Sequence, residues 1–161
     1  VARLADYLVI MKDGRTQAQG PLSDVLARLD LPIRLGEDAG ALLHARIGLI
    51  DNQWHLARMD FPGGSLWTKD PGLPLCTAVR VRVLARDVSL AQLEPGPTSI
   101  QNLLRGQVDA ISEDEHPSQL LVRVLIGESL LIARMTKRSA ASLEIQIGQT
   151  IWVQVKSVAL L

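Results

Sequence analysis

The spacing of apolar residues changes near residue 40. Before it, Ala2, Leu4, Ala5 and Leu8 stand near helical spacing, so residues 1–8 are expected to end a helix. Residues 8–11 form a short apolar strand, Lys12-Asp13-Gly14 predicts a hairpin turn, and residues 15–19 return as its second strand. Gly20-Pro21 breaks the chain, and proline suits the first position of a helix. Leu22, Val25, Leu26 and Leu29 give that helix one apolar face. Pro32 and the glycines at 36 and 40 predict a linker and a domain boundary.

After residue 40 the period falls to two, the signature of strands. Strands are expected over 41–50, 54–59 and 65–68, with turns at Asp51-Asn52 and Pro62-Gly63-Gly64. In residues 77–86, Val79, Val81, Val83 and Ala85 alternate with Arg80, Arg82, Leu84 and Arg86. That is a half-buried strand with a basic outer face, either solvated or paired with carboxylates. Pro95 and Pro97 mark a further joint. Four more strands are expected over 106–112, 119–126, 129–135 and 150–160, with a tight hairpin at Gly127-Glu128 and a short helix within 136–143. Counting 77–86, five strands and a short helix predict a mainly β chain built on an OB-like barrel, with an additional β-meander and a short N-terminal α/β piece. The expected divisions are residues 1–36, a β-rich connecting segment 37–96, and the barrel domain 97–161.

Composition narrows the function. The 161 residues are 47% apolar, enough for a packed core. Formal net charge is zero and aromatics are 3%, so neither the field nor the stacking platforms of a nucleic-acid binder are present. Any anion must be held locally. Cys76 is the only cysteine, which excludes an intrachain disulfide and fits a reducing compartment; a buried, inert thiol is expected. No apolar run approaches the roughly 20 residues of a membrane span. Arg3 and Asp6 interrupt anything like a signal peptide.

Several chemistries lack their residues. No Gly-Lys pair occurs, so there is no phosphate-cradling P-loop, and no ATP hydrolysis is expected of this stretch. Gly63-Gly64 lacks the Leu-Ser-Gly-Gly context of ABC ATPases. His44, His55 and His116 are scattered, and one cysteine cannot build a zinc knuckle. The acidic turn Glu113-Asp-Glu-His-Pro-Ser118 could attract a cation or be a solvated loop. No catalytic constellation converges.

What remains is a set of small hydroxyl residues and a lysine near strand and helix ends. A tetrahedral dianion needs several hydrogen-bond donors, which hydroxyls, amides and a cation provide. A helix N-terminus is expected at 136–139, which would add free N–H groups and a favourable dipole. In isolation, Thr136-x-x-Ser139 is a helix cap and Lys156 a surface lysine.

A resemblance gives these residues a common purpose. Val1-Ala-Arg-Leu-Ala-Asp-Tyr-Leu-Val-Ile-Met-Lys-Asp-Gly-Arg15, running to Gly20-Pro21, resembles the last residues of an ABC-transporter ATPase core. Residues 79–91 resemble the strand that precedes the regulatory domain in molybdate-importer ATPases. The C-terminal half resembles the molbindin-like (Mop or TOBE) domain. That family's first element reads Ser-Ala-Arg-Asn with glycine shortly after; Ser99-Ile100-Gln101-Asn102 and Gly106 occupy it here. Its Thr-x-x-Ser matches Thr136 and Ser139, and its last-strand Lys-Ser matches Lys156-Ser157.

The resemblance implies the regulatory tail of a molybdate-importer ATP-binding subunit, cytoplasmic and peripheral on the inner membrane through permease subunits. It implies a homodimer that holds molybdate or tungstate between subunits, through Ser99, Gln101, Asn102, Thr136, Ser139, Lys156 and Ser157. No cofactor is required by the tail, and ATP would be bound by the upstream part alone. Gln101 departs from the pattern, because it stands where the family has arginine. That leaves two readings: the anion meets another cation such as Lys137 or Arg138, or the domain is a purely structural dimerisation module.

Overall fold

The structure is a computed structural model that describes residues 3–30 and 39–161. The linker expected at 32–40 lies mostly outside these residues, and the boundary at 36–37 lies wholly outside them. The chain opens with an antiparallel hairpin of β1 (Tyr7–Lys12) and β2 (Arg15–Pro21). Its turn places Asp13 at φ 51° and Gly14 at φ 72°, the left-handed pair that a two-residue hairpin requires. Residues 3–6 are a turn and bend rather than the expected helix end, because the Asp6 carbonyl accepts from Leu22 N–H (3.0 Å) and Tyr7 already pairs with Pro21. Helix α1 (Leu22–Leu26) follows and buries Leu22 and Val25.

Two five-stranded antiparallel sheets make up the rest, a mainly β, OB-like arrangement. The first has the order β12-β6-β3-β4-β5 and the second β10-β9-β8-β11-β7. In chain order these are β3 (Gly40–Asp51), β4 (Leu56–Phe61), β5 (Gly64–Lys69), β6 (Ala78–Leu84), β7 (Val88–Ala91), β8 (Asn102–Glu113), β9 (Gln119–Ile126), β10 (Ser129–Thr136), β11 (Thr150–Val155) and β12 (Ala159–Leu160). Helix α2 (Lys137–Ser142) lies between β10 and β11. Alternation decides the faces: Ala57, Met59 and Phe61 point inward from β4, as do Val122, Val124 and Ile126 from β9. One apolar cluster runs from Ala41 on β3 to Val155 on β11, so the two sheets share a core.

Two expected strands are broken. Residues 77–86 divide at a 3₁₀ turn, Ala85–Asp87, and residues 150–160 divide after Val155. At each break the chain crosses to the other sheet. β7 therefore pairs with β11 in the second sheet, and β12 pairs with β6 in the first. The fifth strand of the barrel sheet is accordingly β7, not residues 77–86. Ala85 is fully buried and donates its N–H to Ala39 O (2.8 Å), while Asp87 O accepts from Lys156 N–H (2.8 Å). These bonds fix both crossings at one place.

Backbone contact also joins the sheets. A Cβ on Gly63 would stand 2.0 Å from Ile126 O, and one on Gly127 would stand 2.5 Å from Gly63 Cα. The β4–β5 and β9–β10 turns therefore touch through glycines alone. Ser129 Oγ donates to Pro62 O beside them. The Asn102 amide acts as a short strand: Oδ1 accepts from Trp67 N–H (2.7 Å) and Nδ2 donates to Trp67 O (2.9 Å).

Cys76 is exposed, not buried. It sits at φ 66° in the turn after residue 70 and donates its N–H to Ile47 O (2.8 Å), which leaves its side chain outside the core. Arg80, on the basic face of β6, reaches Ala5 O (2.8 Å) and the Asp6 carboxylate. No described helix is long and apolar enough to cross a membrane.

Candidate functional site: a hydroxyl-lined cavity in the seam of the second sheet

β7 and β10 are the outer strands of the second sheet, and its curl brings them into contact. No ladder joins them among the described residues. The seam holds a cavity of about 520 Å³ lined by Val88, Ser89 and Leu90 on one side and by residues of β10 and α2 on the other. The second side supplies Arg134, Thr136, Arg138, Ser139 and Ser142.

Local sequence chemistry builds the α2 side. Thr136 is the N-cap, and its Oγ1 accepts from Ser139 N–H (3.0 Å) and donates to Ser139 Oγ (2.9 Å). One N–H of the expected helix terminus, that of Ser139, is thus taken by the cap. At six residues α2 has under two turns, so side chains rather than a long helix dipole must hold a ligand here.

Charge in the cavity is set by which cations are already matched. Arg134 forms an ion pair with Asp114 (2.5 Å), the two side chains being 9% and 5% exposed. Lys137 pairs with Glu113 (2.8 Å) and does not line the cavity. Arg138 lines it and makes no ion pair or hydrogen bond among the described residues. The lining contains no carboxylate. Chemically, it is suited to a small anion that accepts hydrogen bonds.

The other expected residues stand around this seam rather than in it. Asn102 pairs with Val155, and Val155 pairs with Val88, a cavity residue. Lys156 and Gln101 flank that row, both exposed. Ser99 lies exposed ahead of β8, and Ser157 lies exposed beyond β11. Asn102 has its amide engaged by Trp67. The structure therefore places Thr136 and Ser139 on the cavity, and Lys156 one residue beyond its border row. Sequence reasoning missed Ser89 and Ser142. Ser89 alternates with Val88 and Leu90 on a short strand, a pattern that marks an outward side chain but not what it faces.

A larger cavity, about 940 Å³, lies against β3 and is lined by Arg3, Arg46, Arg80 and Asp60 among others. Arg46 donates to Cys76 O (3.0 Å), Arg80 is held by Ala5 and Asp6, and the Asp60 carboxylate adds negative charge. It is less suited to an anion than the seam.

Residues 98–161 match the TOBE domain family. Over its whole length the chain is 65% identical to the molybdenum import ATP-binding protein ModC of Methylococcus capsulatus, covering 45% of that protein. It is 53% identical over 160 residues to the protein of the same name from Thiobacillus denitrificans, covering 44% of it. The match falls in the C-terminal part of these relatives, and the chain spans less than half their length. Among solved structures it resembles the cytoplasmic molybdate-binding protein ModG, crystallised with molybdate bound. That likeness has a TM-score of 0.61 at 19% identity, and covers 74% of this chain and 93% of the other. Three quarters of the chain is more than residues 98–161 alone supply, so the shared fold takes in strands outside those residues.

Proposed function

We propose that this chain is the oxyanion-sensing regulatory and dimerisation region of a molybdate importer's ATP-binding subunit. Residues 1–36 would be the end of the ATPase core, and 37–161 the regulatory unit. The observation that carries the proposal is the seam cavity, a carboxylate-free lining with hydroxyls from Thr136 and Ser139, in a chain matched throughout to molybdenum import ATP-binding proteins. Lys156 would swing onto the anion from the border row. The cavity, about 520 Å³, is of the size that holds much larger ligands than one tetrahedral oxyanion. The spare volume would admit Ser99, Gln101 and Ser157 of a second copy, so that the ligand would lie between subunits. Binding there would favour one arrangement of the paired ATPases, since a ligand shifts an equilibrium by its differential affinity for the two states.

The subunit would work on the cytoplasmic side of the inner membrane, against permease subunits. ATP would be bound upstream. Steady turnover of ATP by purified residues 1–161 would overturn that division of labour. Calorimetry against molybdate, tungstate, sulfate and phosphate tests the sensor, with molybdate or tungstate expected to bind and the other two to bind weakly. Sedimentation at high micromolar concentration should show a dimer, and a monomer with and without molybdate would remove the shared site. The second reading, a dimerisation module without ligand, draws on Gln101 and on the commitment of Asn102 to Trp67. A dimer that binds none of the four anions would establish it.

A further inference from the structure

The sensor reading leaves a charge problem: a dianion in the seam meets neutral donors and one lysine outside the lining. We infer that Arg138 and Ser89 are binding residues of this site, with Arg138 supplying the guanidinium that Gln101 lacks. The inference rests on the oxyanion reading above and adds residues to it from the geometry of the seam.

Three observations single out Arg138. It lines the cavity, whereas Lys137, its neighbour on α2, is drawn away to Glu113. Arg134, the other guanidinium in the lining, is charge-matched by Asp114. No carboxylate in the lining offsets Arg138. A guanidinium presents a planar fork of donors that can meet two oxygens of one tetrahedral anion. Its position on α2 lets it act from the same side as the Thr136 and Ser139 hydroxyls.

Ser89 acts from the opposite wall. It pairs with Gln154 on β11, so its place across the seam is fixed by the sheet register. An anion bonded to Ser89 and to Ser139 or Arg138 would bridge β7 and β10, which no backbone ladder joins. β7 follows directly from the 3₁₀ turn where the chain leaves the first sheet. The ligand would thereby tie α2 to the crossing between the sheets.

The test is molybdate titration of the full 161-residue chain and its variants, with sulfate as the comparison anion. Arg138→Gln should weaken molybdate binding by about tenfold or more, the scale of a lost charged hydrogen bond, and Ser89→Ala by several-fold. Gln101→Arg placed in the Arg138→Gln background should restore most of the loss, because either position can supply the one guanidinium. Circular dichroism and melting temperature should stay at parent values, both side chains being clear of the core. On adding molybdate to the parent, amide exchange should slow in β7; in Ser89→Ala it should not. If the parent binds molybdate and both single variants bind equally well, Arg138 and Ser89 are not in the site, while the sensor reading stands. If the parent binds no molybdate, both the sensor reading and this inference fall.

Discussion

Two junctions of the second sheet meet their surroundings in opposite ways. At the β9–β10 turn the contact is backbone on backbone: Gly63 and Gly127 touch with no room for a Cβ, and Ser129 bonds Pro62. At the β7–β10 seam the strands come together without a ladder and enclose hydroxyls and Arg138, which makes no ion pair or hydrogen bond among the described residues. The first junction is closed by backbone contact and one hydroxyl bond, and it holds the two sheets together. The second keeps donors unsatisfied by protein, which costs free energy unless water or a ligand accepts from them. Holding and binding are thus separated on one small sheet, and substitutions at the two places should fail differently.

The largest effect should come from Gly63→Val. The side chain would drive into Ile126 O, at a φ of +113° that valine avoids. Overpacking and backbone strain each cost about 1–3 kcal/mol, so a loss of about 3 kcal/mol or more is expected in a denaturant titration. An unchanged midpoint would show that this junction is looser than the contact implies. Lys156→Ala should leave the midpoint alone and weaken molybdate binding by about 1.5–3 kcal/mol, the range for hydrogen bonds to charged groups. Equal binding by parent and variant in calorimetry would remove Lys156 from the site. Asn102→Ala should cost about 1–3 kcal/mol of stability, because the Trp67 N–H and C=O lose their partners. Should stability hold and only molybdate affinity fall, Asn102 would belong with the binding junction, and the contrast would need redrawing. Smallest, Gln101→Arg should tighten molybdate binding by about 1 kcal/mol, provided Arg138 leaves part of the charge unmet. No gain would mean that Arg138 already does all of it.

Local chemistry was legible in the order of residues. The Asp13-Gly14 and Gly127-Glu128 turns, the inward residues of β4 and β9, and the Thr136 cap each depend on neighbours a few positions away. The mainly β, OB-like class follows from such signals, because side-chain alternation and turn residues are properties of short segments. Even the two strand breaks left a trace. Inward positions step from Ala85 to Val88, and from Val155 to the half-buried Val158, three residues instead of two. The change of phase is visible in sequence, but its meaning is not.

Only the tertiary structure decided where the chain goes at those breaks, because a strand's partner is chosen by contacts distant in sequence. It put β7 against β11 and β12 against β6, and so set Ser89 across a cavity from Ser139. It gave the Asn102 amide to the Trp67 backbone, 35 residues away. It sent Lys137 to Glu113 and left Arg138 facing the seam, two adjacent cations that the sequence does not distinguish. Residue order sets what each segment can form and what each side chain can donate. Which donors remain unspent is settled when distant segments close around them, since a hydrogen bond made inside the protein is no longer available to a ligand.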